Sequence, residues 1–135
     1  MYREITRGLQ IDVDPFYVPE NSTPSDHYYF FAYRVTITNQ GEAPAQLLRR
    51  HWIITDGTGT RHEVRGDGVV GQQPFLQPGE SFEYTSFCPL PTPTGNMRGT
   101  YDFQLESGEE FAARIPLFFL RNLGQDSNRD LRNLQ

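Results

Sequence analysis

Tyr28-Tyr29-Phe30-Phe31-Ala32-Tyr33-Arg34-Val35-Thr36-Ile37-Thr38-Asn39 alternates along its length. It sets Phe31, Tyr33, Val35 and Ile37 on one side and Phe30, Ala32, Arg34, Thr36 and Thr38 on the other. A period of two marks a β-strand with one buried face and assigns the first set to the core. Upstream, Leu9, Ile11 and Val13 alternate with polar residues until Pro15, which predicts an edge strand interrupted by the proline. Downstream, Asn39-Gln40-Gly41-Glu42-Ala43-Pro44 turns the chain, and residues 47–55 form the next strand. Asp56-Gly57-Thr58-Gly59 then marks a hairpin returning over 61–65. Val69-Val70, the segment 73–76 and an alternating strand at 82–85 follow. Residues 87–96 carry Pro89, Pro91 and Pro93, which predicts an irregular, extended connection without sheet hydrogen bonds. Two strands close the pattern, with inward rows Met97, Gly99, Tyr101, Phe103, Leu105 and Phe111, Ala113, Ile115, Leu117, Phe119, joined by a turn at 106–109.

No stretch keeps apolar residues at helical spacing, and 12 Gly and 10 Pro cut the chain into short segments. About seven to eight strands at regular spacing predict an all-β, antiparallel two-sheet sandwich over residues 1–120. Residues 121–135 are mostly polar and read as a flexible C-terminal tail.

Composition narrows the function. The chain has 135 residues, the size of one domain, and a formal charge of −5. All 12 basic residues are Arg, which removes lysine chemistry such as Schiff bases or a phosphate-loop lysine. The acidic balance argues against nucleic acid as a partner. Cys88 is the single cysteine and implies no disulfide. With no apolar leader and no window resembling a spanning helix, the expectation is a cytoplasmic protein with no membrane partner.

Three constellations could carry chemistry. Gly66, Gly68 and Gly71 form a literal G-x-G-x-x-G, but Gln72-Gln73-Pro74-Phe75 leads into a strand or loop, so the helix that would hold a pyrophosphate is missing. The segment is either a loop whose glycines need positive φ or a nest of amides that, with Arg65 and Arg49, cradles an anion. A hairpin turn centred on Gly57-Thr58 would place His51 and His62 as diagonal neighbours on one face, a weak metal pair that lacks third and fourth ligands. Arg49 and Arg50 lie on opposite faces of one strand, so one of them shares the side of Trp52 and Ile54. That arginine must be ion-paired or emerge near the sheet edge, and it is the seed of an anion or partner-carboxylate site. Cys88 between Phe87 and Pro89 reads as inert, and Trp52 reads as a core anchor. No cofactor is predicted.

Several strings in one order resemble the ApaG family. They are 31–37 (Phe-Ala-Tyr-Arg-Val-Thr-Ile), 46–56 (Gln-Leu-Leu-Arg-Arg-His-Trp-Ile-Ile-Thr-Asp), 64–74 around the glycines, 76–86 (Leu-Gln-Pro-Gly-Glu-Ser-Phe-Glu-Tyr-Thr-Ser) and 92–101 (Thr-Pro-Thr-Gly-Asn-Met-Arg-Gly-Thr-Tyr). Phe87 departs from the pattern, in which Gly usually follows the Tyr-Thr-Ser run. The resemblance implies a fibronectin type III-like or immunoglobulin-like sandwich with no enzymatic activity. It also implies protein–protein binding and a link to cobalt tolerance and magnesium efflux. The expected function is therefore a non-enzymatic module that binds an unidentified protein partner, with a homodimer left open. The alternative is a phosphate- or nucleotide-binding protein using the 66–71 loop.

Overall fold

The computed structural model describes residues 1–122, and among them nine β-strands form two antiparallel sheets packed as a sandwich. One sheet has the order β1 (Tyr2–Thr6), β2 (Leu9–Tyr17), β3 (Tyr29–Asn39), β7 (Ser81–Leu90). The other runs β5 (Arg61–Asp67), β4 (Ala45–Asp56), β8 (Thr94–Leu105), β9 (Glu110–Arg121), with β6 (Phe75–Leu76) pairing with the start of β4. Two single 3₁₀ turns, Pro19–Asn21 and Pro24–Asp26, link β2 to β3, and among the described residues no helix is long and apolar enough to cross a membrane.

The row Phe31, Tyr33, Val35, Ile37 is buried as its alternation requires, facing Leu47, Trp52, Met97, Tyr101, Phe103 and Phe118 of the other sheet. Trp52 is 3% exposed and its indole meets the rings of Tyr33, Tyr101 and Phe118 at 5.3, 6.2 and 5.9 Å. Edge-to-face contacts of this kind add to the burial of apolar area, so the indole anchors both sheets.

Several expectations fail for physical reasons. The strand starting at Leu9 is internal, because β1 pairs along it from Thr6↔Leu9 to Tyr2↔Val13. β1 escapes the periodicity test because its inward residues include Glu4 and Thr6, which meet β9 rather than the core: Glu4 pairs with Arg114 at 3.9 Å, and the Arg114 N–H donates to Thr6 Oγ1 at 3.2 Å. Pro15 does not end β2. The Val18 N–H donates to Phe30 O, and alternation then turns the Pro15 nitrogen away from β3, beyond the reach of β1, where no N–H is needed. Pro89 is likewise accepted within β7, a sheet edge, so the strand runs on to Leu90 and only residues 91–93 turn.

Two bulges change which residues face inward. Between Leu47 and Arg49 the register with β8 shifts by one, so β4 buries Ala45 and Leu47 before the shift and Trp52 and Asp56 after it. A second shift, opposite Met97 and Gly99, falls at Pro116 of β9. It turns Leu117 and Phe119 outward, 48% and 39% exposed, and buries Phe118 and Leu120 in their place. The sheet also takes in Arg121, and the Asn122 N–H donates to Pro93 O at 2.8 Å. The rest of the segment read as a tail, 123–135, lies outside the described residues.

Candidate functional site

The two long seams of the sandwich differ. On one side β1 and β2 lie against β9, closed by the Tyr2–Phe118 ring contact at 6.1 Å and the bonds from Arg114. On the other side the edges are β7 and β5, and they do not meet. A recess of about 280 Å³ opens between them, walled by Trp52, Ile54, Val64 and Met97 of one sheet, Val69 and Val70 of the turn after β5, and Tyr33, Tyr84, Ser86 and Phe87 of the other sheet. Its rim is apolar and unusually open to solvent for such side chains: Val64 is 40%, Val70 55% and Phe87 60% exposed.

Arg50 supplies the charge. Unbroken alternation beyond the bulge at Leu48 sets it on the Trp52 face, and its guanidinium Nη1 donates to Asp67 O and Gly68 O, both at 2.9 Å. The loop is built around this group. A Cβ on Gly66 would stand 2.8–2.9 Å from the guanidinium, so the missing side chain is the space the arginine occupies. Gly68 has φ +65°, and a Cβ there would lie 2.3 Å from Gln72 O. Gly71 has φ +80°. The glycine pattern therefore serves backbone geometry and the seating of Arg50. No carboxylate among the described residues lies within ion-pair distance of Arg50, whose Nε and Nη2 carry no hydrogen bond to a described residue.

Three phenols back the recess. The Tyr84 and Tyr101 hydroxyls hydrogen-bond to each other, and the Ser86 side chain interacts with the Tyr33 phenol. Burial pushes all three phenols above the ordinary tyrosine value, while the charge of Arg50 opposes the shift at each. They are protonated donors at neutral pH. Arginine, phenols and a serine can bind an acceptor group. No base among the lining residues stands ready to activate a nucleophile.

Of the residues singled out from the sequence, Arg49, His51, Arg65 and Gly66 line one shallow depression, while Gly68, Gly71 and His62 lie outside it. Arg49 and Arg65 lie on the outer face of the five-stranded sheet, away from the recess. Arg49 is neutralised by Asp102 at 3.1 Å and by a short bond to Glu110, which hold its charged form more firmly still. Arg65 pairs with Glu63 at 3.5 Å, and Glu63 also meets His51 Nε2 at 2.9 Å. The Gly68, Val69 and Gln72 amides already donate to Leu48 O, Gln72 O and Val69 O. His51 and His62 are on opposite faces. The hairpin closes with Asp56 N–H to Thr60 O around three residues, which pairs His51 with Arg65 and His62 with Ile54. Among the described residues no group of three or more His, Cys, Asp and Glu is placed to hold a metal ion. Tyr33, Tyr84, Ser86 and Val64 had no functional signal in the sequence, since each reads as an ordinary strand residue. Arg50 had one: a cation in alternation with Trp52 and Ile54.

A model of the ApaG domain matches residues 19–105. Protein ApaG of Methylobacterium sp. (strain 4-46) is 57% identical over 120 residues, spanning 89% of this chain and 92% of that one. Protein ApaG of Bordetella pertussis is 61% identical over 112 residues, spanning 83% and 86%. The crystal structure of the ApaA protein from Bordetella pertussis superposes with a TM-score of 0.83 at 59% identity, over 85% of this chain and 94% of that chain.

Proposed function

This chain belongs to the ApaG family, and from that membership we propose that it is a non-enzymatic binding module whose open seam receives an extended segment of a protein partner. One observation carries the reading: Val64, Val70 and Phe87 expose apolar surface around a recess flanked by two unpaired strand edges. Exposed apolar surface gathered at one place marks an interaction site, and a free sheet edge offers main-chain hydrogen bonds to an extended peptide. Phe87 fits this role. Its ring meets the tilted ring of Phe30 at 5.3 Å and extends the apolar rim onto the outer face of the four-stranded sheet. The association with cobalt and magnesium homeostasis, on this reading, runs through the partner.

The test is site-specific photo-crosslinking in cells, with a benzophenone amino acid at position 87 or 64 and, as control, at Leu117 on the far face. A discrete adduct from the two seam positions and none from the control supports the reading, and an adduct to a second copy of the chain makes the partner a homodimer. Adducts from the control position alone, or equal smears from all three, overturn it. The nucleotide-binding alternative finds less support, because Arg49 and Arg65 are already ion-paired with Asp102, Glu110 and Glu63, and the Gly68 amide donates to Leu48 O.

A further inference from the structure

The donors of the recess are counted by the core behind it. Tyr101 is fully buried, does not line the recess, and has the Tyr84 hydroxyl as its hydrogen-bond partner among the described residues. Two hydroxyls sharing one bond leave one O–H over. If Tyr84 donated, the spare proton would be that of Tyr101, buried with no acceptor, an arrangement that carries the full desolvation cost of an unmade hydrogen bond. Tyr101 therefore donates and Tyr84 accepts, which releases the Tyr84 O–H toward the recess it lines. Arg50 adds Nε and Nη2, held in place because Nη1 is tied to Asp67 O and Gly68 O. Arg50 and Tyr84 thus bring donors and one positive charge to a recess whose other polar side chains are the Tyr33 and Ser86 hydroxyls, framed by an indole and aliphatic walls.

We propose that the recess binds a carboxylate carried on an apolar body. The two oxygens would bond the guanidinium and the Tyr84 hydroxyl, and the body would lie against Trp52, Ile54 and Val64. A guanidinium fork matches a planar carboxylate, and partial burial makes a charge-assisted bond worth more than at an open surface. The proposal rests on the seam being the binding face. The carboxylate could belong to a free organic acid or to the C-terminal residue of the partner segment.

The chain would be titrated, with ¹H–¹⁵N spectra recorded, with 3-phenylpropanoate, with 3-phenylpropanamide and with the dipeptide N-acetyl-Gly-Phe bearing a free C-terminus. Saturable shifts at the Gly66, Gly68 and Ser86 amides and the Trp52 indole are expected for the carboxylates, with the amide weaker by about tenfold or more. Binding of the dipeptide as well as the acid places the site in partner recognition. Binding of the acid alone keeps the carboxylate site and removes a chain terminus as its source, leaving the crosslinking result to decide the partner reading separately. Arg50→Gln should weaken binding by at least about tenfold, with Arg50→Lys retaining part of it. Val64→Trp, at an exposed edge position that leaves Arg50 and its loop untouched, should block entry in a folded chain. Equal affinity for acid and amide, shifts confined to Arg49 and Arg65 on the outer face, or unaltered binding in Val64→Trp each overturn the proposal.

Discussion

The Tyr84 hydroxyl on β7 and the Tyr101 hydroxyl on β8 hydrogen-bond across the core, joining the two sheets at the back of the open seam. Their roles are unequal, since Tyr101 is sealed while Tyr84 reaches the recess. Tyr84→Phe strands a fully buried donor and should cost about 1–3 kcal/mol, whereas Tyr101→Phe leaves Tyr84 able to bond water in the recess and should cost about 1 kcal/mol or less. The double variant should be less destabilised than the sum, because the orphaned donor goes with its partner. Urea unfolding of the four proteins checks the order.

The loop glycines should separate in the same assay. Gly71→Ala meets open space and bears only the strain of φ +80°, about 1–2 kcal/mol. Gly68→Ala bears a similar strain at φ +65° and also drives its Cβ to 2.3 Å from Gln72 O, the acceptor of the Val69 N–H, so it should cost more. It should also disturb Arg50, which holds Gly68 O, so its amide shifts should spread to the recess while those of Gly71→Ala stay local.

Cys88 is buried, and burial pushes its thiol up to about 11. At pH 8 such a group is about 0.1% thiolate, and access is blocked as well. Labelling by a disulfide reagent should be slower in the native protein than in urea by about a hundredfold or more. Equal rates would place Cys88 at the surface.

The Asp56 carboxylate accepts from the Thr58 N–H, the Thr58 hydroxyl and the Thr60 N–H, bonds that hold it below its ordinary 3.8. A depressed folded value means that this stabilisation is present in full above the unfolded value and lost as pH falls through the folded one. Asp56→Asn should therefore be most destabilising near neutrality, with the gap to the wild type closing as pH falls through the lowered carboxylate value. A gap that is constant with pH would remove the carboxylate's charge from the account.

Much of the fold was legible because it is local. Phe31, Tyr33, Val35 and Ile37, or Tyr101 and Phe103, declare a buried face by alternation alone, and Trp52 declares itself by standing among them. The absence of helical spacing and the density of turn residues sufficed for a sandwich. Beyond that, each error falls where a strand's meaning depends on a neighbour. β1 hides because Glu4 and Thr6 are inward residues that β9 satisfies. Pro15 and Pro89 look like breaks until the direction of a missing N–H is known.

The candidate site was legible only in part, and the reason is the period of two itself. A slip or an inserted residue of one reverses every side chain beyond it. The hairpin loop at Asp56 closes around three residues instead of two, and His62 leaves the face of His51. The bulge at Pro116 exchanges Phe118 for Leu117 and Phe119. The bulge at Leu48 turns Arg50 inward and leaves Arg49 to Asp102 and Glu110. The sequence by itself determined that this chain makes strands, which residues alternate along them, and that one of two adjacent arginines must share the side of Trp52. That this arginine, Arg50, would meet two phenols at an unclosed seam was decided by strand pairing. Register is set by hydrogen bonds between segments far apart in the chain, and no local pattern encodes them.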